Sequence, residues 1–322
     1  MKLAVIGTVT ETKAIDGADR IHQAIVDCGD EGQWSGVVGK DIVEGSKVVV
    51  FLQDAILPEN DRWAFMSKHK WRVRMARFKG VPSECVIVPA IALEQPLFNG
   101  TDLTETYNVK KHEKPVPAQI AGDVKGNFPS FIPKTDEENF QRIRNLEELM
   151  TGWDWVATVK YDGTSCTAWV DDEGELHVCS RNLELKEFSA TGAGNVYWQA
   201  ARKYNLDAMA PGFALQFEVC GPGIQGNPAG FKELQIFAFT LHDIARQERC
   251  HFGALTHFCQ SYGIPMAEIT ASGHGYVNPD KLRELADKVV YENGSQGEGV
   301  VVRSINSNWS MKSISLNYKD AA

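Results

Sequence analysis

The sequence predicts a two-domain α+β chain, a β-rich first domain followed by an α+β second domain, and three observations predict it. The chain has 322 residues, more than one compact core usually holds, since single domains mostly run to about one or two hundred residues. Its first hundred residues read as short β-runs broken by turn signals, whereas the remainder mixes strand-like runs with helical periodicity. Between Thr104 and Thr135 the chain turns rich in Pro, Lys and Gly, the composition of an interdomain connector. The expected division is residues 1–103, a linker over 104–130, and residues 131–322.

Composition narrows the class. Apolar residues make up 43% and charged residues 23%, near the averages for soluble globular proteins, so disorder is not expected. The longest apolar runs, such as 48–52 and 299–302, fall far short of the roughly 20 residues that span a bilayer, and no membrane is expected as a partner. The opening Leu3-Ala4-Val5-Ile6-Gly7 turns polar too soon for a secretory signal and reads as a strand. Seven cysteines without a C-x-x-C pair fit a reduced, cytoplasmic protein. A net charge of −9 excludes a protein that coats nucleic acid through bulk positive charge, so any such site is local.

In the first domain, strands are expected over 3–9, 21–27, 47–52, 71–77 and 85–88, a spacing that suits a small barrel or a sandwich. Residues 68–79 hold six Lys or Arg, and Lys70, Arg72 and Arg74 would share one face of an extended chain. With Trp71 and Phe78 interleaved, cations tracking phosphates and rings stacking on bases would suit single-stranded nucleic acid. A solvated edge strand guarded by lysines explains the same stripe equally well.

In the second domain, Thr135 and Glu138 read as a capping box, with Phe140, Ile143, Leu146 and Leu149 at helical spacing and Gly152 at the end. Strands are expected over 155–161, 167–170, 176–180, 213–220, 234–241 and 299–303, and helices over 193–203, 252–262 and 279–291. No internal repeat stands out. The Gly-rich segments 192–194 and 221–226 suit either turns or an RNA-facing surface.

The segment Lys160-Tyr161-Asp162-Gly163-Thr164-Ser165 places a lysine at a strand end, with Asp-Gly making the bend. A lysine so placed is a candidate nucleophile. Alone the pattern is weak, because K-x-D-G arises by chance in roughly one chain in ten of this length, and an ordinary surface turn explains it.

Its successors change the weighing. Cys179-Ser180-Arg181-Asn182, Gln216-Phe217-Glu218-Val219-Cys220-Gly221, Ile236-Phe237-Ala238-Phe239-Thr240-Leu241, Glu298-Gly299-Val300-Val301-Val302-Arg303 and Ser310-Met311-Lys312 follow in order. Taken singly, each is an ordinary strand end, core position or solvated cation. In this order they resemble the motifs of the nucleotidyltransferase superfamily of ATP-dependent ligases and mRNA capping enzymes, across most of 131–319.

The resemblance implies a nucleotidyltransferase (ATP-grasp-like ligase) domain in which Lys160 becomes adenylated. It implies that Arg181 contacts the nucleotide or RNA end, Glu218 binds the ribose and Lys312 holds the α-phosphate. Phe237, in preference to Phe239, would stack on adenine, with Val300 or Val302 on the other side. Glu298 would assist through a metal-bound water, the metal being Mg²⁺ or Mn²⁺ and ATP the co-substrate. A free lysine with pKa near 10.4 is neutral in only about one molecule in a thousand near pH 7.5. A bound cation with Lys312 and Arg181 would favour the neutral amine. The chain departs from the pattern at Val159, where many RNA ligases have Glu, and at Ser310, where many have Lys.

Only Lys319 to Ala322 follow the final motif and its Asn317-Tyr318, so a C-terminal OB domain, as in DNA ligases and capping enzymes, is not expected. Trp71-Arg72-Val73-Arg74, Gly80-Val81-Pro82-Ser83, Val86-Ile87-Val88-Pro89 and the stretch from Phe128 to Glu138 resemble instead an RNA ligase family whose OB domain comes first. That resemblance implies an N-terminal OB-like β-barrel with Lys70, Arg72, Arg74 and Arg77 on the RNA side. The expected activity joins RNA 3′-OH and 5′-phosphate ends through lysyl-AMP and adenylated RNA, in a monomer. Lys134 reads either as a cation that reaches the ATP phosphates or, as is commoner for a lysine before a helix, as a solvated one, and is not counted among the site residues. The competing readings are a DNA ligase or GTP-using capping enzyme, against which the missing C-terminal OB domain counts, and a non-catalytic binding module. The retained Lys160, Glu218, Glu298 and Lys312 speak against the latter.

Overall fold

A computed structural model describes residues 2–90, 98–112, 123–189, 192 and 194–318. The chain divides into two units, Met1–Pro115 with Gln141–Asn145, and Val116–Phe140 with Leu146–Ala322.

The first unit is built on an antiparallel sheet whose strands lie in the order Gln33–Gly39, Ile21–Asp27, Ala4–Ala14, Lys47–Phe51, Val86–Pro89. Apolar layers cover both faces. Val5, Val26, Trp34, Val50 and Ile87 pack on one side, and Ile6, Val49, Phe51, Trp63 and Tyr107 on the other. Burial on both sides is why Lys47–Phe51 reads as an unbroken apolar run rather than an alternating one. The Glu84 backbone N–H donates to Ser35 O (2.9 Å), bringing the approach to the last strand beside the edge strand Gln33–Gly39.

The strand expected over 71–77 does not form. Asp61–His69 winds as 3₁₀ turns, Lys70 and Trp71 take left-handed φ of 53° and 54°, and only Ala76–Phe78 is extended, pairing with Val81–Ser83. Val73 is drawn into the core, with its N–H bonded to Ala55 O (2.8 Å), and that anchor decides the path of the backbone. Lys70, Arg72 and Arg74 therefore do not line one face of a strand. Within the stretch 104–130, Tyr107 and Val109 pack in the first core, and Val124–Asn127 forms an edge strand of the second unit. Residues 113–122 of that stretch lie outside the described residues.

The second unit holds two sheets. The larger runs Val124–Asn127, Leu183–Leu185, Leu176–Ser180, Thr164–Val170, Phe213–Cys220, Gln235–Asp243, Glu248–Arg249, all antiparallel. Helices Val196–Lys203 and Phe252–Tyr262 pack on it through Tyr197, Ala200, Leu255 and Cys259, which join Leu215 and Phe217 in one core. The smaller runs Glu138–Asn139, Ser310–Ile314, Gly299–Ser304, Asp154–Lys160, Ile269–His274. Helix Pro279–Asp287 lies on this sheet, its Leu282 carbonyl accepting from Ser313 Oγ (3.0 Å).

The helix expected after Thr135 is largely absent. Glu138–Asn139 pairs in parallel with Met311 and Lys312, Phe140–Arg142 makes one 3₁₀ turn, and only Leu146–Met150 is α-helical. Thr135 bonds Ser165 Oγ (2.6 Å) instead of capping, and Glu137 binds buried Arg303 (2.7 Å). These tertiary bonds override local propensity. All seven cysteines are free thiols. Among the described residues no helix is long and apolar enough to cross a membrane.

Candidate active site

Lys160 ends the strand Asp154–Lys160, and the chain then turns through Tyr161, Asp162 and Gly163 into Thr164–Val170. This turn carries the chain from the smaller sheet to the larger, so the lysine stands where both sheets converge. Gly163 has no space for a side chain, because an added Cβ would lie 2.3 Å from Val219 O and 3.0 Å from Glu218 Cγ. Opposite Lys160 stands Gly299, whose φ of 146° and 2.1 Å clearance to Ser313 O exclude any Cβ. The two glycines of the D-G and E-G motifs thus let backbones close on the site.

Lys160 Nζ donates to Glu298 Oε2 at 2.6 Å. Across the turn, the Gly163 N–H donates to Glu218 Oε1 at 3.1 Å. Ser165, Glu218 and Phe237 sit opposite one another on adjacent strands, and Lys312 lies opposite Val301. The sequence-predicted residues Lys160, Glu218, Phe237, Glu298 and Lys312 are therefore brought to one locus.

The electrostatics are those of a carboxylate surplus. Burial disfavours the Lys160 ammonium, but Glu298, Glu218 and Asp162 outweigh it and hold the pKa above its ordinary value. These carboxyl groups favour the charged amine, so Lys312 and Arg181 alone do not supply the positive surroundings that would favour the neutral one. Glu218 is pushed up to about 8, chiefly by burial, with Glu298 and Asp162 adding to the rise and Lys160 opposing it. Glu298 is raised by burial and Asp162 against the pull of Lys160 and Lys312.

An aromatic ladder flanks the turn. Tyr161 stacks on Phe237, with ring centroids 3.8 Å apart and planes 8° apart, and Tyr291 lies parallel beyond it at 5.8 Å. Tyr318 donates to Asp162 Oδ2. One face of Phe237 is therefore occupied by the neighbour of the candidate nucleophile. Phe239, the extra residue of a bulge, lies under the Arg303 guanidinium at 5.1 Å.

Val300 departs from expectation. It pairs with Val159 and Ser313 on the face packed against helix Pro279–Asp287 and is fully buried, as is Val302. Val301 shares the face of Lys312 and Thr158. Arg181 is exposed and paired with Asp136, while Lys134 bonds Asn182 Oδ1 (3.0 Å). In the first unit Arg72 pairs with Asp54 (2.7 Å), Arg77 bonds Gly80 O (2.7 Å), Lys70 is exposed and Arg74 half-buried. Sequence reasoning assigned no site role to Asp162, Tyr161, Tyr291 or Tyr318. Only the Asp162 turn carried a local signal.

The RNA ligase family model matches residues 154–315. Among solved structures, Naegleria gruberi RNA ligase with PPi is 30% identical with a TM-score of 0.80, covering 98% of this chain and 97% of that one. An apo mutant of the same enzyme gives 29% and 0.81 over 98% and 96%, and a mutant with ATP and Mn gives 29% and 0.79 over 98% and 97%. No curated protein matches the chain in sequence. The family match, half the chain long and centred on the two converging sheets, establishes that this chain belongs to the RNA ligase family.

Proposed function

We propose that the chain is an ATP-dependent RNA ligase that joins RNA 3′-OH and 5′-phosphate ends, with Lys160 as the nucleophile that carries AMP. The observation that carries this reading is the Lys160–Glu298 contact of 2.6 Å at the point where the sheets converge. Lys160 attacks the α-phosphorus of ATP, pyrophosphate leaves, and the lysine holds AMP through a phosphoramide bond. AMP then passes to the RNA 5′-phosphate. Attack by the 3′-hydroxyl forms the phosphodiester and releases AMP.

Before the first attack the ammonium must lose a proton, and Glu298 Oε2 is placed to receive it. Lys312 supplies positive charge for the non-bridging oxygens of the transferring phosphoryl group. Glu218 is the ribose partner. Adenine stacks on the face of Phe237 away from Tyr161, with Val301 replacing Val300 as the aliphatic neighbour. Arg181, in the turn between Ser180 and Leu183, exchanges Asp136 for a phosphate on the nucleotide or RNA end.

The donor set fits a divalent cation. Three carboxyl groups, Glu298, Glu218 and Asp162, act on the single Lys160 amine. Glu298 would hold Mg²⁺ or Mn²⁺ through a metal-bound water, and the cation would supply charge neutralisation to the phosphates. That neutralisation would also weaken the hold of the carboxylates on the Lys160 proton.

We read the first unit as an OB-like barrel. Its strand order and the Glu84–Ser35 bond beside the edge strand support this. Lys70, Arg74 and Arg77 are its RNA-side cations, whereas Arg72 serves the fold through Asp54. The reading is tested with α-³²P-ATP or α-³²P-GTP and a divalent metal, wild type beside Lys160→Ala. Acid-labile, alkali-stable label from ATP alone, reduced at least about a thousandfold in Lys160→Ala, is expected. No label from either nucleotide would overturn it.

A further inference from the structure

The two strand ends that carry Lys160 and Glu298 are joined by the hydroxyl of one tyrosine that belongs to neither. Tyr291 follows helix Pro279–Asp287 and is buried. Its hydroxyl accepts from the Asp162 N–H (3.2 Å) and from the Glu298 N–H (3.4 Å), and donates to Lys160 O (3.4 Å). One oxygen thus touches the backbone on both sides of the ion pair. Tyr318 holds the same turn from another side, through the Asp162 carboxylate. The Tyr291 ring also lies 5.8 Å from Tyr161 and 10° from parallel to it, and Tyr161 in turn stacks on Phe237.

Resting on the adenylation reading above, we propose that Tyr291 is a positioning residue for lysyl-adenylate formation, its hydroxyl fixing the separation of Lys160 from Glu298. The nucleophile sits at the end of a strand, where a turn can open. The Lys160–Gly299 pair is the last of its ladder, and Gly299 has a backbone that no side chain stiffens. A strand end of this kind frays unless something spans it. A misplacement of about 1 Å at a reacting atom can cost on the order of a hundredfold in rate. The hydroxyl contacts only backbone groups and none of the side chains assigned to the nucleotide, so its loss acts on rate rather than on nucleotide affinity.

The test is single-turnover adenylate formation over a range of ATP concentrations, comparing wild type, Tyr291→Phe, Tyr291→Ala and Tyr318→Phe, with thermal melting of each. Tyr291→Phe keeps the ring in its ladder and loses only the hydroxyl. The expected result is a maximal rate at least about tenfold below wild type, with half-saturating ATP unchanged within about twofold and melting shifted by a few degrees at most. Tyr318→Phe, which loses the Asp162 side-chain bond alone, is expected to show a smaller loss of the same kind, about threefold. A Tyr291→Phe rate near wild type, or a loss confined to half-saturating ATP, overturns the inference. If Tyr291→Phe does not fold, amide hydrogen exchange of the wild type decides instead, and unprotected Asp162 and Glu298 amides overturn the inference. Absence of adenylate in wild type would overturn the adenylation reading itself, whereas normal wild-type label with an unimpaired Tyr291→Phe overturns this inference alone.

Discussion

The turn that carries Lys160 and the basic segment 68–79 both drew attention in the sequence, yet they behave differently in the structure. Around Lys160 the expected strands form and the expected side chains meet, Lys160 bonding Glu298 across 138 residues of chain. In segment 68–79 the expected strand is replaced by 3₁₀ turns, three left-handed residues and one short strand, so its cations scatter. The difference is one of burial. Strands such as Asp154–Lys160 and Phe213–Cys220 are apolar because both their faces are packed, and that signal survives folding. Alternating charges carry no such constraint, and one apolar anchor, Val73, redirects the whole segment.

The largest expected effect that sharpens this contrast comes from Gly299→Ala. A Cβ 2.1 Å from Ser313 O at a φ of 146° should destabilise the second unit by about 3 kcal/mol and abolish adenylation. Chemical denaturation beside the label assay measures both, and a stable, active variant would break the claim that backbone closure builds the site.

Next in size is Glu218→Gln. With the carboxyl raised from an ordinary value near 4.5 to about 8, its contribution to stability is complete below about pH 4.5 and lost as the pH rises through 8. Nucleotide-free wild type should lose on the order of 1–3 kcal/mol between pH 5 and 8.5 from this group, and Glu218→Gln should not. Parallel slopes for the two proteins would mean that Lys160 already compensates the charge.

Smaller still is the effect on the basic segment. A Lys70→Ala, Arg74→Ala, Arg77→Ala triple variant should bind RNA less tightly and lower the slope of log affinity against log salt by about 1–3. Its rate of adenylation should equal that of wild type. Arg72→Ala should leave the salt slope unchanged and cost less than about 1 kcal/mol of first-unit stability, because its Asp54 partner is largely solvated. An unchanged slope in the triple variant would remove these cations from the RNA interface.

The sequence by itself determined the positions of the catalytic unit's central strands, the helix over 252–262, the existence of the helices near 193–203 and 279–291, the last of which ends at Asp287 and leaves Tyr291 outside it, and the residue types Lys160, Glu218, Phe237, Glu298 and Lys312 in their order. The strands and helices are local, set by apolar runs, turn residues and spacing, whereas the site residues stand out only through their motifs' resemblance to a known superfamily. Tertiary structure alone decided that Val301 rather than Val300 faces the site, since an all-valine run has no alternation from which to read a face. It decided that residues after Thr135 pair as a strand instead of extending a helix, because Arg303 and the Ser310–Ile314 strand compete for them. It also decided the proton on Lys160, the ring on Phe237 and the hydroxyl between the two strand ends. Each of these depends on groups more than seventy residues apart, whose meeting has no trace in any window of sequence.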